Sequence, residues 1–71
     1  MTDLTRQQRE ALDIVRAHHR RTGAVPSPHV LADHMARGSV EAAVHHLAAL
    51  EQLGYLARGG LVYVLVAKEG V

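Results

Sequence analysis

Apolar side chains return every three or four residues through most of this chain and every second residue near its end, so helices are followed by strands. Ala11, Leu12, Ile14, Val15 and one of His18 or His19 keep helical spacing. Thr5 stands as N-cap with Gln8 three positions on, the pair that makes a capping box, and Gly23 supplies the left-handed residue that closes a helix over 6–21. Ala24-Val25-Pro26 reads as extended, because the residue before proline is pushed out of the helical region. Ser27 caps a second helix over 28–36, with Pro28 at its first position and Leu31, Ala32 and Met35 facing inward. Ala32 is small enough to let the next helix come close. Ser39 caps a third helix over 40–53, stopped by Gly54. Its expected buried stripe is Val40, Ala43, Val44, Leu47 and Leu50, which leaves Glu41, Ala42, His45, Ala49 and Gln52 outward. Residues 55–58 and 61–66 flank Gly59-Gly60, a two-residue connection suited to a tight hairpin over 55–66. The run at 61–66 is short, rich in valine and bounded by glycine, which makes it a strand.

The order helix, helix, helix, hairpin is that of a winged helix-turn-helix, mainly α with a small β-hairpin. Within it, Ser27–Gly54 has the helix-turn-helix arrangement, whose second helix can lie in the DNA major groove. Seventy-one residues make a single domain over 1–71, with no repeat, linker or low-complexity segment and a frayed tail expected at Lys68 to Val71.

Composition narrows the class. Hydrophobic residues are 48% of the chain, yet no run of about 18 apolar residues could span a bilayer and no N-terminal signal pattern is seen, so a soluble, cytoplasmic protein is expected. The absence of cysteine excludes a disulfide framework and thiolate metal sites. No nucleophile stands with a base, and Ser27 and Ser39 are accounted for as caps, so no enzymatic activity and no cofactor are expected. Net charge is only +1, and its distribution is uneven. Residues 1–21 hold Arg6, Arg9, Arg16, Arg20 and Arg21 against Asp3, Glu10 and Asp13, whereas residues 22–54 hold Arg37 alone against Asp33, Glu41 and Glu51. Six histidines, His18, His19, His29, His34, His45 and His46, include no pair at i, i+3 or i+4. Partly buried or solvated histidines with pH-sensitive charge are expected, and no metal site.

Leu4-Thr5, Gln8, Glu10, Asp13, Arg16, His18, Thr22-Gly23, Pro26, Ala32, Ser39, Ala42-Ala43, His46-Leu47, Ala49-Leu50 and Gly54 follow one another in a familiar order and spacing. Over roughly residues 4–66 the chain resembles the N-terminal DNA-binding domain of the LexA repressor family. The resemblance implies a transcriptional repressor with Ser39, Glu41, Ala42, Val44 and His45 at positions that face bases or backbone. Glu41 stands where that family typically has an amide, and Val44 and His45 where acidic side chains are usual, so the family's operator is not expected to carry over. The connection at Gly59-Gly60 is shorter than the family's wing, and the self-cleaving Ser/Lys peptidase half, which also dimerises the repressor, has no counterpart in these residues, so no self-cleavage is expected.

The candidate DNA-contacting residues are Ser27, His29, Arg37, Ser39, Glu41, Ala42, His45 and Arg58. Arg37 and Arg58 stand where winged helices touch phosphate; the competing reading is a pair of solvated arginines. His45 is the candidate base reader, against a merely solvated histidine, and Glu41 either accepts from a cytosine amino group or only complements the helix dipole. The strand at 61–66 is apolar on both faces, with Val62, Val64 and Val66 on one and Leu61, Tyr63 and Leu65 on the other. A homodimer through Leu61–Val66 and helix 1 is expected, the alternative being that helix 1 and the tail cover the second face. The function expected is a sequence-specific double-stranded DNA-binding regulator; the alternative is a winged-helix interaction or dimerisation module without DNA binding.

Overall fold

The computed structural model describes residues 4–36, 38–60 and 62–66. Three helices, α1 (Arg6–Thr22), α2 (Pro28–His34) and α3 (Val40–Gln52), precede an antiparallel hairpin of β1 (Leu56–Gly59) and β2 (Val62–Leu65). This is a mainly helical winged helix-turn-helix, the class expected from the pattern of the chain. The expected tail at Lys68 to Val71 lies outside the described residues.

Each helix begins and ends on local chemistry. Gln8 N–H donates to Thr5 Oγ1 at 3.1 Å while Thr5 N–H donates to Gln8 Oε1 at 3.0 Å, the reciprocal capping box. Gly23, at φ +80°, closes α1 with its N–H on the His19 carbonyl. The end of α3 is a Schellman motif: Gly54 N–H donates to Glu51 and Tyr55 N–H to Leu50, which satisfies carbonyls the helix leaves open.

The core is small and aliphatic. Ala11, Leu12 and Val15 of α1, Leu31 and Ala32 of α2, Ala43, Leu47 and Leu50 of α3, and Leu56 of β1 are buried together. With no Phe or Trp in the chain, the space between helices is filled by leucine and valine, and the buried alanines let backbones approach. Leu31, Leu47, Leu50 and Val15 are the largest fully buried side chains.

The second helix ends earlier than its expected limit of 36. Met35 is extended at φ −92° and ψ 147°, so α2 stops at His34. The cause is the chain's own return. A methyl built on Gly38 would overlap the Ala32 carbonyl, so the segment leading into α3 lies directly on the end of α2. Ala36 N–H, which a continuing helix would give to Ala32, donates to the Glu10 carboxylate at 3.0 Å instead.

The hairpin turn is displaced by one residue from Gly59-Gly60. Gly59 pairs with Val62, so the connection is Gly60 and Leu61. Gly60 has the left-handed φ of +75° that the first turn position requires, whereas Gly59 belongs to β1. Leu61 lies outside the described residues.

Glycines 38 and 23 should fail for different reasons. Gly38→Ala meets backbone and is expected to cost about 3 kcal/mol. Gly23→Ala meets open space and only a torsional penalty of about 1 kcal/mol, part of which Gly23→Asn should recover. Urea denaturation of the three variants checks the ranking, and an equal cost for Gly38→Ala and Gly23→Ala would contradict the close approach.

Candidate functional site

Helix α3 is anchored by Ala43, Leu47 and Leu50, and its opposite side is open. Val40, Glu41, Val44, His45, Ala48 and Gln52 are exposed. Glu41, His45 and Gln52 therefore face outward as expected. Val40 and Val44, expected in the buried stripe, face outward as well; Val44 is 47% exposed. At about 100° per residue Val44 lies a quarter-turn from Ala43, on a flank that no other element covers. The opposite flank is the protected one. Ala42 and Ala49, expected to face out, are half-buried, and Ala42 lines a cavity of about 220 Å3 with His46, Arg6, Gln7, Glu10, Met35 and Ala36. The sequence pattern set the axis of the helix, while the position of α1 decides which flank is covered.

The approach to α3 is built from caps. Ser39 Oγ accepts from Ala42 N–H at 3.1 Å and Ser27 Oγ from Val30 N–H at 3.4 Å. Accepting leaves each hydroxyl its hydrogen to donate outward. Ser27 and His29 are exposed at the start of α2, and Ser39 and Glu41 at the start of α3. Arg37, expected to touch phosphate just before α3, lies outside the described residues.

Arg58 is held within the hairpin. It stands opposite Tyr63, donates from Nη2 to the Tyr63 hydroxyl at 2.9 Å, and carries its guanidinium 5.0 Å from that ring's centroid. Glu51 Oε1 is 4.0 Å from its Nε. The side chain is still exposed, so its charge is presented from a fixed position beside the end of α3. Arg16 lies similarly over the Tyr55 ring, at 5.8 Å.

Glu10 is the positioning residue that the sequence pattern alone leaves unmarked. Its bond to Ala36 spans 26 residues and fixes the corner between α2 and α3 from α1. Glu10 and Asp13 are both carboxylates on α1 and neither is a cap, so no local signal separates one from the other.

The histidines divide by burial. His18, His19 and His46 are half-buried and His29, His34 and His45 exposed. His34 Nδ1 lies 2.9 Å from the Val30 carbonyl, and His18 Nδ1 is a shielded nitrogen without a partner among the described residues. Among the described residues no three His, Asp or Glu gather around a point that could hold a metal ion. No helix there is long and apolar enough to cross a membrane.

If Glu10 holds the corner, Glu10→Ala should lower stability by about 1 kcal/mol and speed hydrogen exchange at the Ala36 amide, with Glu10→Gln, which keeps an oxygen acceptor, intermediate. An Ala36 amide that exchanges equally fast in all three proteins would remove that role.

Comparison with known proteins fits this geometry. The family described as the LexA DNA binding domain matches residues 1–60. The LexA repressor of Verrucomicrobium spinosum is 40% identical over 55 residues, 78% of this chain and 27% of that protein, so the chain spans about a quarter of the length of this relative.

Proposed function

Because the chain belongs to the family of LexA DNA-binding domains, we propose that it regulates transcription as a repressor by reading double-stranded DNA with the exposed face of α3. The observation that carries the reading is the open outer side of α3, standing after a corner fixed by Gly38 on Ala32 and by Glu10 on Ala36. A helix so placed enters the major groove, and His45 and Glu41 are the polar side chains it presents to base edges. Ala42 contributes only from the half-buried flank. Ser27, His29, Ser39, Arg37 and Arg58 hold the phosphate backbone on either side, giving affinity without sequence information. The place of action is the cytoplasm.

We also propose that two copies act together. Val62, Val64 and Val66 line the outer face of the hairpin, with Val62 64% and Val64 50% exposed, while Tyr63 and Leu65 turn toward the core. This face, with part of α1, is the candidate surface for a two-fold contact suited to a palindromic site.

Binding to a duplex library should weaken with salt, with a log–log slope near −0.9 for each phosphate neutralised. Arg37→Ala should lower the slope by about one such increment, and Arg58→Ala by less, since Arg58 also serves Tyr63 and Glu51. No binding to any duplex at low salt, or binding insensitive to salt, would overturn the proposal. For the pair of copies, sedimentation of the wild type against Val64→Lys should show loss of a dimer in the variant; a wild type that stays monomeric at high concentration with and without DNA would rule the contact out.

A further inference from the structure

Val40, Val44 and Ala48 are exposed and four residues apart, so they form one apolar row along the outer side of α3. The row contributes nothing to the core, which is built on the other side by Ala43, Leu47 and Leu50. Beside it stand Glu41, His45 and Gln52. No exposed side chain of α3 is Arg or Lys, so the commonest way of recognising guanine, a cation on O6 and N7, is closed to this helix, and Glu41 would repel those same acceptors. An isopropyl group in the major groove has one partner that distinguishes a base, the C5-methyl of thymine.

We propose that α3 reads thymine through its methyl group, with Val44 as the central contact and Val40 as a second. The inference rests on the DNA-binding role proposed above and specifies its chemistry. Side chains four residues apart are offset by about 6 Å along a helix, and successive bases on a strand by about 3.4 Å, so the two valines address thymines one or two steps apart. Glu41, next to the row, favours a cytosine or adenine amino group over guanine. The preferred half-site is therefore rich in thymine methyls on the strand that faces α3.

The test uses the full chain and the best duplex selected from a random library. Each thymine is replaced in turn by deoxyuridine, which removes one methyl and nothing else. At one or two positions the affinity should fall about fourfold, the worth of one buried methyl. Val44→Ala should bind the thymine and deoxyuridine duplexes alike at its own position. A wild type that selects a sequence but is indifferent to every deoxyuridine overturns the methyl reading and leaves the DNA-binding role standing. A Val44→Ala protein that keeps the full thymine preference overturns the assignment to Val44. Absence of binding to any duplex removes both readings together.

Discussion

The direction of α3 depends on one steric constraint: the backbone at Gly38 lies against the carbonyl of Ala32, closer than any side chain would allow. Everything that faces the outside from α3 is aimed by this contact. It ends α2 at His34, frees the Ala36 amide, and obliges another group to satisfy that amide, which Glu10 does from α1. Three helices are thereby tied at one corner by a missing methyl and one charge-assisted hydrogen bond. A core of leucine, valine and alanine suits such a corner, because it fills the space between closely approaching backbones without a large ring to hold them apart.

The same small core explains why so much valine is left outside. The domain has one buried layer, and Leu31, Leu47, Leu50 and Leu56 already fill it. Val40 and Val44 on α3 and Val62, Val64 and Val66 on the hairpin have no second layer to enter. A folded domain tolerates single exposed apolar residues readily, but the two separate groups here, one on α3 and one on the hairpin, are the surfaces on which the proposed DNA contact and the proposed contact between copies rest. The groups lie on different elements, so a DNA contact by one does not compete with a protein contact by the other.

The caps were legible in the sequence because they act over three or four residues: Thr5 with Gln8, Ser27, Ser39, Gly23 and Gly54 all stand where their chemistry placed them, and with them the helices. What the sequence hid was relational. Apolar Val40 and Val44 look like core until the position of α1 shows which flank of α3 is covered. Two adjacent glycines do not reveal which of them takes the positive φ; here it is Gly60, and the turn moves by one residue. Glu10 and Arg58 look like ordinary surface charges until partners distant in sequence or across the hairpin, Ala36 and Tyr63, are brought beside them.

Whether α3 meets DNA with its outer side is tested by a map of backbone amide chemical-shift changes as the protein is titrated with its selected duplex. Changes are expected at the starts of α2 and α3 and along the outer side of α3, at Ser27, His29, Ser39, Glu41, Val44 and His45, with the outer face of β2 little affected by DNA itself. Changes centred on Val62–Leu65 with α3 silent would contradict that contact.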